Sequence, residues 1–427
     1  MTDPVARLLD LVRDVGTAHE RVRAGTAPDL GEDAIKVVFH PERFRSFLTG
    51  RDDQVRPITA ELWPSLSCDA QCAMCTYTLN RARRRGHVDV DPILADTDRS
   101  IERLEDLAAA GLCSVIFTGG GEPTLHPELP ALARCADALG LAWGLFTHGL
   151  HLDERTARAL VASRPRFLRI SVNTGSPAAH DREYRLGQHA YERVLQNIVA
   201  TSRASAEHRR CVGVTYALLP TISDDELVGI RSFVQRAWDA SDGSLHSVSF
   251  RPRVAYYDGR GQPRLEQPKA GRWSELGERL GRVVAEPLRE ATGGDLRIDL
   301  KRSMFDRIDR REQPAPVIGN GWATQLNHVG DAYILSELNG SPWPDTRLGN
   351  MDDGFLAMWR SEQRRAVAAR FRTSASRAPV HHKLSHVDEL LARVRRHCGV
   401  LTDGQVDRFY ADVDLDRLPR PGNWDFL

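Results

Sequence analysis

Between about residues 58 and 257 the sequence alternates between short apolar runs and longer stretches with helical spacing. The apolar runs include CSVIFTGG, RFLRISVNT and CVGVTYALL, and the stretches between them include ERTARALVASR and ERVLQNIVATSR. Strands that alternate with helices form parallel sheets. About six such units predict an α/β fold whose core is a partial (β/α)6 TIM-type barrel, with the functional loops after the carboxyl ends of the strands.

The segments on either side of this region have other patterns. Residues 1–57 predict an N-terminal helical extension, because six apolar residues from Val5 to Val15 recur at helical spacing. Residues 258–317 begin with a turn-rich composition and predict a connector. Residues 318–427 predict a small α+β C-terminal cap, because short strand patterns separated by Gly and Asn turns precede two helical segments.

The charge balance excludes several kinds of partner. Lys plus Arg number 58 and Asp plus Glu also number 58, so the net charge at pH 7 is zero and offers no broad attraction to nucleic acid or acidic membranes. No apolar run approaches the roughly 20 residues of a membrane helix, and the first residues lack the apolar core of a secretory signal. We therefore expect a cytoplasmic protein with a small-molecule substrate and no nucleic-acid or membrane partner.

Three of the seven cysteines are clustered directly after the first predicted strand, at Cys68, Cys72 and Cys75. Three thiolates from one short loop can hold three corners of a [4Fe-4S] cluster and leave the fourth iron open to another ligand. A structural zinc site normally has four protein ligands, and a disulfide would leave one thiol unpaired. The CxxxCxxC spacing therefore favours an iron–sulfur site.

A second motif follows the next predicted strand, where Gly119, Gly120, Gly121, Glu122 and Pro123 succeed the apolar run SVIFT. Glycines allow the backbone to approach a ligand closely and expose its N–H and C=O groups. Alone, such a segment is a common turn. At the end of a barrel strand it is suited to binding a small polar group.

Together, CxxxCxxC after the first strand and GGGEP after the second resemble the radical S-adenosylmethionine (radical SAM) superfamily. The resemblance implies one [4Fe-4S] cluster on the three cysteines, with the methionyl amine and carboxylate of SAM on the open iron. It also implies reductive cleavage of SAM to methionine and a 5'-deoxyadenosyl radical, fed by an electron donor such as flavodoxin or ferredoxin.

The same resemblance implies positions for the rest of SAM. The backbone of Gly119, Gly120 and Gly121 together with Glu122 would hold the methionyl amino group, polar residues on the fourth strand would hold the ribose, and Arg185 would approach the carboxylate. Ser171 and Asn173 fit the ribose position, because both lie on the polar face of RISVNT. Ordinary filling of the barrel by this pair and a solvated surface arginine at position 185 remain alternatives.

Two residues are candidates for catalysis. Tyr216 could donate or accept a proton if its side chain faces the inside of the barrel, although core packing with Val212, Val214 and Leu218 is the alternative. His148 lies in FTHG, where relatives often have TNG. Further polar candidates for substrate contact are Tyr77, Arg251, Arg253, Tyr256, Asn327, His328, Asp331, Glu337 and Asp345.

The C-terminal segment GDAYILSELNG resembles the hairpin of SPASM or twitch domains, whose own cysteines usually hold additional clusters. No cysteine lies between residues 318 and 350, so we expect a degenerate SPASM-like cap without an auxiliary cluster.

The overall resemblance is to radical SAM enzymes of aminoglycoside and deoxysugar biosynthesis, which implies a lyase that dehydrates or deoxygenates a sugar or aminocyclitol for antibiotic biosynthesis. Three alternatives stay open: an epimerase or dehydrogenase on an aminoglycoside, a peptide-modifying radical SAM enzyme, and a non-enzymatic iron–sulfur scaffold. An epimerase needs a hydrogen donor, and the candidate Cys211 starts its strand, at the end away from the cysteine loop.

Overall fold

The structure is a computed structural model that describes most of the chain. The described residues are 3–16, 32–72, 75, 93–253, 255–257, 263–265, 271–309, 321–334, 346–373, 384–418, 420 and 423–427.

The strands of the described residues are β1 (Thr59–Leu62), β2 (Ser114–Phe117), β3 (Ala142–Thr147), β4 (Phe167–Ser171), β5 (Val212–Leu218), β6 (Ser247–Pro252), β7 (Ala255–Tyr257), β8 (Pro263–Leu265), β9 (Arg297–Leu300), β10 (Ala323–Leu326), β11 (Asp331–Tyr333) and β12 (Arg347–Asn350). Ten of them form one sheet in the order β12-β11-β10-β1-β2-β3-β4-β5-β6-β9, and β7 pairs with β8 in a separate hairpin. From β10 to β9 every pairing is parallel.

The α-helices of the described residues are α1 (Pro4–Gly16), α2 (Pro41–Leu48), α3 (Thr97–Ala109), α4 (Leu129–Ala138), α5 (Glu154–Ala162), α6 (Pro177–Tyr184), α7 (His189–Ala206), α8 (Asp224–Ala240), α9 (Arg272–Leu280), α10 (Glu286–Ala291), α11 (Arg302–Asp309), α12 (Phe355–Trp359), α13 (Glu362–Thr373), α14 (Ser385–Cys398) and α15 (Asp403–Asp412). A 3-10 helix spans Glu32–Phe39. Among these helices, none combines the length and the apolar character needed to cross a bilayer.

The predicted α/β class is confirmed, and the parallel sheet extends beyond the predicted six units. β9 comes from the segment predicted as a connector, and its short run RIDL pairs parallel to β6. β10 comes from the predicted cap and pairs parallel to β1, with Thr59 opposite Ala323. The boundaries predicted at residues 257 and 317 therefore fall within the chain segment that builds one continuous sheet.

Side chains from alternate positions of the strands face opposite sides of the sheet, as strand geometry requires. On one side, apolar residues such as Val115, Leu145, Ile170 and Val214 pack with the helices in the main hydrophobic core. On the other side, Arg251 of β6 lies over the ring of Phe146 on β3, with 5.9 Å between its Cζ and the ring centroid. Because β4 and β5 lie between these strands, the contact shows that the sheet curves around an interior.

The N-terminal extension and the last helices share a second hydrophobic core. Leu8 of α1 and Phe44 of α2 are fully buried together with Leu390 of α14 and Phe409 of α15. The apolar spacing near the N-terminus predicts a helix over residues 3–24, and the structure confirms it from Pro4 to Gly16 with its apolar side buried. Residues 17–24 lie outside the described part of the chain.

Residues 423–427 fill the amino-terminal end of the barrel. The ring of Phe426 packs edge-on against Phe167, with 5.1 Å between centroids, and the Asp425 carbonyl accepts a 2.6 Å hydrogen bond from the Ser114 hydroxyl. The Lys36 ammonium donates to the Phe426 carbonyl at 2.9 Å. With this end occupied by side chains, the carboxyl ends of the strands are the side on which a ligand site can open.

Candidate active site

The cysteine loop follows β1 and brings its three thiols together. Cys68, Cys72 and Cys75 are all half-buried, and the Cys75 N–H donates to the Cys72 carbonyl at 3.2 Å in a tight turn. Burial, and then the neighbouring charges of Cys75 and Cys68, raise the pKa of the Cys72 thiol well above its usual value. Three adjacent thiolates need a cation to neutralise them, and an all-sulfur donor set is the one that iron–sulfur clusters use. The residues present therefore fit a [4Fe-4S] cluster with one open iron.

The GGGEP loop lies directly against the start of the cysteine loop. The Gly121 N–H donates to the Ser65 carbonyl at 2.9 Å, and the Glu122 N–H donates to the Ser67 carbonyl at 2.7 Å. A Cβ on Gly121 would lie 2.2 Å from the Ser67 carbonyl oxygen. A Cβ on Gly120 would lie 2.5 Å from the Leu66 side chain, so these positions require glycine for the close approach of the two loops.

The Glu122 carboxylate is buried and its oxygens accept hydrogen bonds from within the protein. One oxygen accepts from the Thr124 N–H at 3.1 Å and from the Thr124 and Thr147 hydroxyls, both at 2.6 Å. The other accepts from the His148 N–H at 3.0 Å and lies 3.4 Å from His148 Nε2. These contacts occupy the carboxylate, so it joins the GGGEP loop to the end of β3. Direct contact with a methionyl amine, which the resemblance implied for Glu122, stays a prediction.

His148 lies beside the cysteine loop. Its Nε2 is 2.9 Å from Asp69 Oδ1, and the other Asp69 oxygen is 2.8 Å from His151 Nε2. Burial would lower the pKa of His148, but the Glu122 charge and hydrogen bonds with Asp69 and Cys68 outweigh it and raise that pKa to about 10. Burial would raise the pKa of Asp69, but the hydrogen bonds from His148 and His151 hold it well below its usual range. His148 thus supports the cysteine loop, which differs from the predicted role in substrate catalysis.

The end of β4 carries the two predicted ribose residues. The Ser171 hydroxyl is half-buried and lies 3.4 Å from Thr215 Oγ1. Asn173 adopts a left-handed backbone with φ of 60°, and its amide donates to the Tyr184 hydroxyl at 2.6 Å and accepts from the Ala217 N–H at 2.7 Å. The Asn173 amide therefore fixes the strand ends, whereas the Ser171 hydroxyl is the polar group better placed to meet a ligand.

Helix α6 links this strand end to the cysteine loop. The Tyr184 carbonyl accepts a 2.8 Å hydrogen bond from the Gln71 N–H, and the Tyr184 hydroxyl donates to the Ser171 carbonyl at 2.7 Å. Arg185 ends the helix with φ of 56° and an exposed side chain. One residue before Tyr184, Glu183 pairs with Arg253 of the segment after β6 at 3.0 Å, with both side chains about 15% exposed.

Tyr216 is placed on the side of the sheet that faces the helices. Its ring is fully buried, stacks on Phe250 at 5.5 Å between centroids, and belongs to the main core with Val214 and Leu218. Its hydroxyl has no hydrogen-bond partner among the described residues, and burial raises its pKa well above the usual value. The proton-transfer role proposed for Tyr216 is therefore wrong, because the parity of β5 directs the ring away from the barrel interior.

Replacement of Tyr216 by phenylalanine should leave turnover unchanged. Because the hydroxyl is buried without a partner, its removal should keep the free energy of unfolding constant or raise it by about 1 kcal/mol. Chemical denaturation and steady-state assays check both quantities. A fall in turnover of about 100-fold, typical of a lost general acid or base, would restore the catalytic role.

The inner face of the barrel carries charge. Glu61 of β1 is opposite Ile116 in register, so the two side chains share the inner face of the sheet. The Glu61 side chain is 8% exposed, and its carboxylate accepts a 2.9 Å hydrogen bond from the Gln325 amide of β10. On the facing wall Arg169 lies over the ring of Phe146, with its Cζ 5.7 Å from the centroid, and Arg251 contacts the same ring. Carboxylate and guanidinium groups thus lie on the inner face of the barrel.

The remaining sequence candidates divide into three groups. Asn327 and Asp331 are used locally, since the Asn327 side chain accepts from the Asp331 N–H at 2.8 Å and Asp331 pairs with Arg347 at 2.6 Å. His328 is buried in the same turn. Tyr77, Glu337, Asp345 and the side chain of Tyr256 lie outside the described part of the chain.

Sequence reasoning missed several residues of the site. Asp69 had one usable signal, its position directly after Cys68, and Glu61 had another, as the only charged residue of the apolar strand TAEL. Tyr184 and Glu183 gave none, because their roles depend on contacts with residues 71 and 253, far away in the sequence.

Comparison with known proteins decides the family. Residues 64–234 match the model of the Radical SAM superfamily. The chain contains a radical SAM domain. This superfamily uses a [4Fe-4S] cluster and SAM, and the matched residues contain the cysteine loop, the GGGEP loop and β2 to β5.

Two curated relatives and one solved structure show the range of similar proteins. The chain is 26% identical over 383 residues to dTDP-4-amino-4,6-dideoxy-D-glucose ammonia-lyase of Streptomyces venezuelae, and the aligned region covers 83% of this chain and 75% of the relative. It is 25% identical over 291 residues to PqqA peptide cyclase of Gluconobacter oxydans, and that alignment covers 68% of this chain and 72% of the cyclase. Streptococcus suis SuiB bound to S-adenosylmethionine has a TM-score of 0.54 at 14% identity, covering 74% of this chain and 68% of SuiB, and shows a shared fold for the radical SAM domain.

Proposed function

We propose that this radical SAM enzyme is a lyase that eliminates ammonia or water from an aminated or hydroxylated sugar. The observation that carries the proposal is the charged inner face of the barrel, where Glu61 lies on β1, the strand that leads into the cysteine loop, and Arg169 and Arg251 converge on Phe146. A carboxylate suits an ammonium or hydroxyl group, and guanidinium groups suit phosphates. A sugar that carries both an amine and a phosphate linkage would meet complementary charge at both ends.

Cys68, Cys72 and Cys75 would hold the cluster, and the GGGEP backbone, the Ser171 hydroxyl and the Arg185 guanidinium would bind the amine, ribose and carboxylate of SAM. When bound, the cluster and SAM supply a 5'-deoxyadenosyl radical that removes one hydrogen atom from the substrate. The chain's own contribution is orientation: the polar groups of the inner face hold the substrate under the cysteine loop, and the filled amino end of the barrel keeps water from that side.

The relative from Streptomyces venezuelae supports the substrate class, because its name gives an aminated dTDP-sugar as the compound from which it removes ammonia. In such an elimination the carbon that bears a hydroxyl loses a hydrogen atom, the neighbouring C–N or C–O bond breaks as ammonia or water departs, and the hydroxyl proton leaves as the carbonyl forms. The carbon radical left beside the carbonyl then takes up one electron from the reductant and one proton. Glu61 is a carboxylate that could accept this proton. Ammonia loss and water loss share these steps and differ in the leaving group.

Epimerisation is less well supported. It requires a side chain that returns a hydrogen atom to the substrate radical, and Cys211 is the thiol considered for that task. Cys211 lies just before β5 at the amino end of the sheet, is 2% exposed, and has its pKa raised to about 12 by burial. It is therefore inert and on the opposite end of the barrel from the cysteine loop.

A peptide-modifying activity is the second candidate, favoured by the similarity to PqqA peptide cyclase over 68% of this chain. A peptide substrate would require a broad, open approach to the cysteine loop, whereas an amino sugar requires only the charged interior. The two candidates differ in which compound stimulates SAM cleavage.

The test is anaerobic turnover of the reconstituted enzyme with dithionite and SAM. We expect 5'-deoxyadenosine and ammonia to form with a nucleoside diphosphate amino sugar, and deuterium at the carbinol carbon to appear in 5'-deoxyadenosine. A Cys75→Ala variant is the control for cluster-independent products. Stimulation by a peptide and not by any amino sugar, free or nucleotide-linked, would contradict the proposal and favour the second candidate.

A further inference from the structure

His148 connects the three loops of the site through one side chain. Its backbone N–H donates to Glu122 of the GGGEP loop, its Nε2 lies 2.9 Å from Asp69 Oδ1, and the Cys68 sulfur lies beside both groups. The ligand atoms of Cys68, Asp69 and His148 all lie within 4.8 Å of one another. We propose that the Nε2–H group of His148 donates to the sulfur of Cys68 and sets the reduction potential of the cluster, and that Asp69 regulates this hydrogen bond by competing for the same hydrogen.

The hydrogen on Nε2 follows from the geometry. His148 Nδ1 lies 3.2 Å from the backbone N–H of Leu150, which directs a donor at that nitrogen. A neutral imidazole that accepts at Nδ1 carries its hydrogen on Nε2, and a protonated imidazole carries one there as well. In either form Nε2 is therefore a donor that faces Asp69 and Cys68, with Glu122 Oε2 further away at 3.4 Å.

The donor is also fixed in place. The His148 side chain is 7% exposed, its ring lies 5.7 Å from that of His151, and His151 binds the second oxygen of Asp69 at 2.8 Å. A buried donor held in one orientation presents a fixed dipole to the neighbouring sulfur.

A hydrogen bond to a cysteine sulfur and the net charge nearby are two of the factors that set the potential of an iron–sulfur cluster. Donation from His148 withdraws electron density from the Cys68 sulfur and makes the potential more positive. The negative charge of Asp69 acts in the opposite direction, and it also draws the Nε2 hydrogen away from sulfur. The proposal rests on the assignment of the cluster to Cys68, Cys72 and Cys75.

The experiment is a redox titration of reconstituted protein, followed by electron paramagnetic resonance at matched iron content. His148→Phe removes the donor and should make the potential more negative, whereas His148→Gln keeps an amide donor and should lie closer to the unmodified enzyme. Asp69→Asn should make the potential more positive. In a His148→Phe background the effect of Asp69→Asn should shrink, because the competition for the Nε2 hydrogen no longer exists.

Glu183→Gln is the matched control, because Glu183 is a half-buried carboxylate whose charge acts on Cys72 and which makes no contact with His148 among the described residues. Its effect on the potential should be the same with His148 or Phe at position 148. Equal effects of Asp69→Asn in both backgrounds, or an unchanged potential in His148→Phe, would overturn the proposal.

If the Phe variant binds no iron, His148→Leu, which also lacks a donor, takes its place: the proposal requires that Asp69→Asn shifts the potential less in that background than with His148 present. Iron content separates this result from a failure of the proposed function, because an unmodified enzyme without a cluster would refute the cluster assignment itself.

Discussion

Replacement of Gly121 by alanine is expected to abolish cluster binding. The new Cβ would lie 2.2 Å from the Ser67 carbonyl oxygen and 2.5 Å from the Leu66 carbonyl carbon, and both are backbone atoms that cannot rotate away. The two loops would have to separate, which breaks the hydrogen bonds from Gly121 to Ser65 and from Glu122 to Ser67. We expect reconstituted iron to fall to background and the free energy of unfolding to fall by about 3 kcal/mol or more.

The matched control is Gly404→Ala. Gly404 lies in the first turn of α15, and a Cβ there would meet no atom within 4 Å. Alanine in a helix should leave iron content unchanged and raise stability by up to about 1 kcal/mol. Full iron loading of the Gly121 variant would show that the two loops are not in the contact described here.

Replacement of Glu122 by glutamine is expected to have the second largest effect. The carboxylate accepts hydrogen bonds from two hydroxyls and two backbone N–H groups, and an amide NH2 in its place would point a donor at other donors. Breaking a buried, hydrogen-bonded charge of this kind costs about 3–5 kcal/mol. We expect chemical denaturation to show that loss and cluster affinity to fall about 10- to 100-fold, as for second-layer residues of other metal sites.

The same variant separates two roles for Glu122. If the carboxylate contacted the methionyl amine directly, Glu122→Gln would weaken SAM binding while stability stayed unchanged. The structure instead requires SAM binding and the free energy of unfolding to fall together. Glu102→Gln provides the comparison, because that carboxylate is 61% exposed in a surface pair with Arg99 and should change neither stability nor iron content.

The fold class was accessible from the sequence because the signals that encode it are local. Alternating apolar and helical patterns predicted the strands β1 to β6 and the helices between them. Short strands were also predicted at LRIDL and in the segment that contains ATQL. Their parallel pairing with β6 and β1 was not accessible, because it depends on segments distant in the chain.

The candidate site also combines local motifs that the sequence reveals with long-range contacts that it does not. CxxxCxxC and GGGEP were recognisable because their spacing is set by the loop that carries them. Glu122 was part of the predicted site, but its partners Thr147 and His148 are 25 and 26 residues away and were not predicted as its partners. The side chain of Tyr216 was misplaced because alternation shows which residues share a face and leaves open which face points inward. Only the contact between Arg251 and Phe146 across the interior settles that question.

The most direct test of the account is the electron paramagnetic resonance spectrum of the reduced, reconstituted enzyme before and after addition of SAM. The account predicts about four iron atoms per chain, a [4Fe-4S] signal that changes when SAM binds the open iron, and loss of both in the Cys68→Ala, Cys72→Ala, Cys75→Ala triple variant. A spectrum that does not respond to SAM, a triple variant that keeps its cluster, or purified protein that holds only zinc would contradict it.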